Sequence, residues 1–198
     1  MSTLVYLVGP PAAGKSTLMA ELTAACTRAT ALEVDWSAAQ VVGPHVPYEF
    51  LSRPNRGAVA VELGAQRRAF SGTDALPMDI NPKACAWIAV APYELVLGEG
   101  DRLANLAFLT AAADAGREVW LVSVDAPDAV LDQRCAARHS TQTAAWRVGR
   151  ATKAARLLSW FEQHWGPRRL VTVDGARPTG ELAGELIDRI PALVTLSA

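Results

Sequence analysis

Cysteine is scarce in this chain of 198 residues: Cys26, Cys85 and Cys135 are odd in number and far apart. No Cys-x-x-Cys pair and no Cys/His cluster occurs, so neither a disulfide framework nor a zinc site is indicated. Charge of one sign is lacking too. The net charge of -1 gives the whole molecule no field that would draw it onto nucleic acid or a membrane. No apolar run is long enough to span a bilayer; residues 87–97, "WIAVAPYELVL", come nearest, but the run is short and carries Pro92 and Glu94. The apolar stretch before Gly9 has neither the basic flank nor the length of a signal peptide. With 51% apolar and 20% charged residues, the chain reads as folded rather than disordered. These absences lead to an expectation of one cytoplasmic domain over residues 1–198, a monomer or homodimer, with no membrane partner. One local imbalance stands out. From Arg134 to Arg177 there are nine Arg or Lys against two acids, Glu162 and Asp174.

What is present is an alternation. Strand-length apolar runs fall at residues 3–8, 31–35, 94–100, 117–124 and 169–174. Between them lie helical periods at 15–28, 57–70, 82–91 (Asn81 as cap, Pro82 at the first helical position), 101–115, about 125–138, 143–165 and 179–190. The stretch 36–56 holds three prolines and reads largely as loop. Strand and helix in alternation predict an α/β fold: a five-stranded parallel sheet with helices on both faces, a three-layer sandwich.

The strongest signal is Gly9-Pro10-Pro11-Ala12-Ala13-Gly14-Lys15-Ser16, an ungapped G-x-x-x-x-G-K-[ST] between a predicted strand and a predicted helix. Glycines let backbone N–H groups turn inward around an anion, and the following helix aims its positive end at the same point. The residues expected to hold a nucleoside triphosphate are Gly9, Pro10, Ala12, Ala13, Gly14, Lys15, Ser16 and Thr17. Lys15 supplies a mobile charge for the β- and γ-phosphates, and Ser16 a hydroxyl for Mg²⁺. ATP with Mg²⁺ is therefore the expected cofactor pair. A switch GTPase would show D-x-x-G and N-K-x-D, and an ABC-type motor LSGGQ; the sequence has none of them. The kinase branch of P-loop proteins remains.

Four further features fit that branch. Asp35 ends the second predicted strand in "LEVDWS". In P-loop kinases a carboxylate there faces the γ-phosphate and holds the acceptor hydroxyl or accepts its proton, although an Asp can equally cap the next segment. "LVLGEGDRLAN" delivers Glu99, Asp101 and Arg102 at a strand end, where ligands collect in open α/β sheets. It resembles the Asp-Arg segment of thymidylate kinases and, apart from Gly100, the Glu-Arg-Ser…Asp-Arg segment of deoxyribonucleoside kinases. A carboxylate at that strand end can hold a Mg²⁺-bound water or the acceptor, and the arginine can clamp a phosphate or carboxylate; with Ser16, either Asp35 or Glu99 is expected to serve Mg²⁺ through water. "LDQRCAARHS" places Arg134 and Arg138 at i, i+4 on one helical face. This is similar to the lid arginines of adenylate and polynucleotide kinases, which implies that Arg134 lies over the adenine and Arg138 reaches the transferring phosphate. The lid so implied covers about residues 134–156. Finally, Arg147, Arg150, Lys153 and Arg156 form a basic band, either the wet side of a helix or a surface that closes on ATP or acceptor.

The acceptor region is expected at about residues 36–93. Arg67 and Arg68 could meet an anionic group, Ser71, Thr73 and Asp74 a sugar or base edge, and Trp36, Tyr48, Phe50 and Phe70 offer stacking surfaces. Together "FSGTDAL", "NPKA", "EGDRLAN" and "WRVGRATKAARL" resemble P-loop kinases of actinobacteria and their phages, whose relatives include kinases acting on 5-hydroxymethyluracil in DNA. The implied acceptor is a nucleoside, a nucleotide or a modified base in DNA, with Asp35, Arg67, Asp74, Glu99, Asp101 and Arg102 as binding residues. Lys15, Asp35, Glu99 and Arg138 are the expected catalytic set. Chloramphenicol phosphotransferase, a P-loop enzyme of similar size, offers a small-molecule hydroxyl as the alternative. An ATP-binding module without acceptor is the third reading.

Overall fold

A computed structural model describes residues 2–30, 46–54, 56–64 and 71–197. The strand expected at 31–35, together with Asp35, Trp36, Arg67, Arg68 and Phe70, lies outside the described residues.

The chain runs through β1 (Thr3–Val8), α1 (Lys15–Leu22), β2 (Thr27–Thr30), β3 (Tyr48–Arg53), β4 (Gly57–Leu63), α2 (Asn81–Val90), β5 (Leu95–Glu99) and α3 (Leu106–Asp114). It continues through β6 (Glu118–Asp125), α4 (Asp128–Ala137), α5 (Ala144–Trp165), β7 (Leu170–Asp174), α6 (Thr179–Arg189) and α7 (Val194–Ser197). The strands form one sheet in the order β2-β3-β4-β5-β1-β6-β7. The five-stranded parallel expectation is thus corrected: among the described residues the sheet has seven strands and is mixed. β4, β5, β1, β6 and β7 run parallel, while β2 and β3 extend the β4 edge antiparallel.

The difference arises at residues 48–63. "GAVAVEL" is not a helix but the strand β4, paired on both sides; its alanines carry no strong strand preference, and the neighbouring strands decide. The helix expected at 15–28 stops at Leu22 and gives way to β2. The antiparallel corner has its own electrostatic pin. Glu49 and Glu62 face each other across β3 and β4, a like-charge pair that would destabilise the ladder. Arg28 lies between them, its Nη1 2.6 Å from Glu49 Oε2 and its Nη2 2.7 Å from Glu62 Oε2.

Alternation along β1 splits the core in two. Leu4, Tyr6 and Val8 join α2, α3 and the C-terminal half of α5 on one face. Val5 and Leu7 join α1, α6 and α7 on the other. Two segments stand off this core. α4 has no fully buried residue, and α5 buries only Leu157 and Phe161, both in its second half. The Arg147–Asp132 ion pair ties α4 to the outlying half of α5. Among the described residues no helix is long and apolar enough to cross a membrane.

Candidate active site

The five parallel strands carry their C-terminal ends to one rim, and the motif residues gather there. The turn after β1 is forced into its cradle by backbone close to its neighbours. A Cβ on Gly9 (φ 146°) would sit 1.9 Å from the Val124 carbonyl oxygen, so only glycine fits. Gly14 caps α1 in the left-handed region, and Ala12 adopts φ 66°, a conformation that non-glycine residues rarely take. The first N–H groups of α1 have no acceptor within the helix and face the loop. Lys15 folds back over it, Nζ donating to the carbonyls of Gly9 (3.0 Å) and Pro10 (2.9 Å). Burial lowers the Lys15 pKa, opposed by the carboxylates of Glu99, Asp74 and Asp101; Arg138 pushes it down further.

Glu99, at the end of β5, is 3% exposed. Its Oε1 accepts from Ser16 Oγ at 2.9 Å and lies 3.0 Å from Ser71 Oγ, which is itself 2.7 Å from Ser16 Oγ. Burial raises the Glu99 pKa, while the Ser16 hydrogen bond, Lys15 and Ser71 pull it down. Two hydroxyls and a carboxylate beside a lysine form an all-oxygen donor set that fits Mg²⁺. Among the described residues no three His, Cys, Asp or Glu side chains form a metal cage. Mg²⁺ needs none, being held by one or two protein oxygens with phosphates and waters.

The segment Ser71-Gly72-Thr73-Asp74 grips this strand end residue by residue. Ser71 reaches the Glu99 carboxylate. Gly72 (φ 55°) abuts it so closely that a Cβ would lie 2.5 Å from Oε1. Thr73 Oγ1 donates to the Glu99 carbonyl at 2.9 Å and shares a 2.7 Å hydrogen bond with the Tyr6 hydroxyl. Tyr6 OH also donates to the Gly100 carbonyl at 3.1 Å. Asp74 Oδ1 accepts the backbone N–H groups of Asp101 (2.9 Å) and Arg102 (3.1 Å). The helix expected from residue 101 starts later: α3 begins at Leu106, capped by Asn105.

Two cavities hold the remaining expected residues. One, of about 150 Å³, is lined by Gly14, Thr17 and Leu18 of the first turn, by Arg134 and Arg138, and by Gly175 and Thr179. Arg134 donates to the carbonyls of Ala12 and Ala13 (3.3 Å each) and of Gly175 (2.9 Å). The other, of about 480 Å³, brings the expected Asp74, Asp101 and Arg102 together with Met78, Gln142, Trp146, Arg150 and Lys153. Tyr48 and Phe50, expected as stacking surfaces, instead pack with Trp87 and Tyr93 in the core.

Sequence reasoning missed Tyr6 and Gly175, whereas the basic band had offered α5, whose Arg150 and Lys153 line the second cavity. The Asp-Gly after the last strand carried a signal for Gly175. Tyr6 carried none, since in sequence it is one more residue of an apolar strand.

The model of the P-loop Nucleotide Kinase3 family matches residues 1–179. The chain belongs to that family. The match includes every motif of the chain up to the start of α6. No curated protein matches the sequence. Among solved structures, an unliganded sugar kinase from Janibacter sp. HTCC2649 shares 13% identity over 98% of each chain, with a TM-score of 0.39. That likeness is too distant to bear on function.

Proposed function

We propose that the protein is an ATP-dependent phosphotransferase, passing the γ-phosphate to a hydroxyl or phosphate of a nucleoside, a nucleotide or a modified base in DNA. The observation that carries this reading is a pair of cavities, one against the first turn of α1 beneath Arg134 and Arg138, the other lined by Asp74, Asp101 and Arg102. A nucleotide switch or motor has no use for the second cavity. A transferase needs it, because donor and acceptor must meet in line within van der Waals reach.

In this reading ATP enters the smaller cavity beneath Arg134 and Arg138, its phosphates running along the N–H groups of the first turn. Lys15 leaves the Gly9 and Pro10 carbonyls for the β- and γ-phosphates. Ser16, with Glu99 acting directly or through water, would hold Mg²⁺, which neutralises charge on the leaving diphosphate. Arg138 covers the charge that develops on the transferring group. Asp101 and Arg102 orient the acceptor, and Asp35 is the proposed partner of its hydroxyl proton. Asp74, clamped on backbone N–H groups, shapes the acceptor wall.

Phosphotransfer from γ-labelled ATP, with a Lys15→Met control, tests the reading. The panel comprises nucleosides, nucleoside monophosphates, oligonucleotides with 5-hydroxymethyluracil and chloramphenicol-like alcohols. The expected result is label on at least one nucleoside-containing acceptor. Hydrolysis of ATP with no labelled acceptor overturns it.

A further inference from the structure

A cavity of about 660 Å³ lies at the rim opposite the phosphate loop, where β6 and β7 begin; its volume is that of an ordinary small-ligand site. It opens because β7 is short. β1 pairs β6 from Glu118 onward, whereas β7 joins only at Leu121. Glu118 and Trp120, two residues apart, share one face of β6 in that gap. The end of α5 supplies His164 and Trp165, and the turn Pro167–Arg169 supplies Arg168 and Arg169. None of these residues lines either cavity at the motif rim. The wall is aromatic and fixed: Trp165 stands edge-on to the fully buried Phe161 and to Trp160, with ring centres 4.9 and 5.1 Å away. Trp160 stacks on His164 at 4.4 Å, and His164 Nδ1 donates to the Trp160 carbonyl at 2.9 Å, which leaves Nε2 without a protein partner. Two needs are unmet. Arg169 pairs with Glu118, Nε to Oε1 at 3.2 Å, but Arg168 meets no acid among the described residues. Trp120 has its indole Nε1 buried with no hydrogen-bond partner, and a buried donor normally finds one.

We propose that this cavity is a separate ligand site, which takes a planar aromatic ring bearing an anionic oxygen group, a carboxylate or a phosphate. The ring lies against Trp165, which Phe161 and Trp160 already hold still, so little side-chain freedom is lost on binding. The anionic group meets Arg168, whose guanidinium offers two parallel N–H donors to such a group. An acceptor on the edge of the ligand satisfies Trp120 Nε1. Glu118, held by Arg169, repels an anion from its own corner and directs it to the Arg168 side. A neutral ring leaves Arg168 unpaired, and a bare anion leaves the aromatic wall wet. The site does not depend on the phosphotransfer reading, with which it shares no residue.

Indole N–H resonances of the full chain test the proposal, with Trp120→Phe and Trp165→Phe assigning the two signals. The probes are benzoate, adenosine 5′-monophosphate, benzamide and inorganic phosphate. Benzoate or the monophosphate is expected to shift the Trp120 and Trp165 signals and to leave that of Trp87, in the core, in place. Binding read at these signals should be about tenfold or more tighter than that of benzamide or of phosphate alone, the range for one charge-assisted hydrogen bond. The first two probes separate a ring-borne carboxylate from a nucleotide. Arg168 is exposed, and Arg168→Gln should lose the preference for the anion. Arg189→Gln, which removes an exposed cation from α6, should keep it. The proposal is overturned if neither ring-bearing anion moves the Trp120 and Trp165 signals, if benzamide binds as tightly as the better anion, or if a folded Arg168→Gln variant retains the preference. None of these outcomes touches phosphotransfer, which the labelling assay reads at the other rim.

Discussion

Replacing Thr73 by Val tests whether the Ser71–Asp74 segment holds the strand end. The substitution conserves shape and removes one hydroxyl, which is fully buried and joins two elements. That hydroxyl shares a 2.7 Å hydrogen bond with Tyr6 and donates at 2.9 Å to the Glu99 carbonyl. Tyr6 keeps its 3.1 Å bond to the Gly100 carbonyl, so it loses one of two partners rather than both. Each buried bond contributes about 1 kcal/mol net, and burying the added methyl without a polar partner for Tyr6 and Glu99 raises the loss to about 2–3 kcal/mol. For a chain of 198 residues this lowers Tm by roughly 4–12 °C. Calorimetric unfolding of wild type, Thr73→Val, Tyr6→Phe and the double variant should give a coupling energy of about 1 kcal/mol between the two sites. Affinity for Mg·ATP should fall as well, since Glu99 is displaced beside Ser16. Stability within about 0.5 kcal/mol of wild type, or a coupling energy of zero, would refute the reasoning.

Arg28→Met should destabilise by about 3–5 kcal/mol at neutral pH by leaving Glu49 and Glu62 facing each other, and the loss should shrink as acid protonates Glu62; chemical denaturation at several pH values reads both effects. Burial already raises the Glu62 pKa, with Arg28 pulling it down, so removing the arginine raises it further. Glu99 holds its proton above the ordinary carboxylate range because it is buried, and a metal requires the ionised form. Mg·ATP affinity should therefore rise with pH through that raised value and fall as pH drops below it, and Glu99→Gln should flatten the profile in a calorimetric titration. Arg134→Ala frees three carbonyls of two loops and should weaken ATP binding by about tenfold or more; unchanged affinity would remove Arg134 from the donor site.

Legibility in the sequence followed how locally each feature is determined. The loop between Gly9 and Ser16 is dictated by residues adjacent in the chain, and β1, β5, β6 and β7 are apolar runs bounded by turns. β4 was illegible because "GAVAVEL" has alanine where strand-formers would be expected, and it becomes a strand only between β3 and β5. β3 was masked by the flanking Pro47 and Pro54. Glu99, Asp101 and Arg102 were legible as a group, since strand ends in such sheets face ligands, and Asp74 was expected separately, with Ser71 and Thr73. That Asp74 spends an oxygen on backbone N–H groups, and that α5 answers Asp101, depends on contacts 27 and 49 residues apart, which no local pattern encodes.

Arg134 has a consequence for the whole molecule. One guanidinium clasps the loop after β1 at Ala12 and the turn after β7 at Gly175, just ahead of α6. The turns after the first and last strands are thereby buttoned together over the proposed nucleotide seat. Occupancy of that seat should slow amide exchange in α6, and fraying of α6 should loosen the grip on the loop after β1.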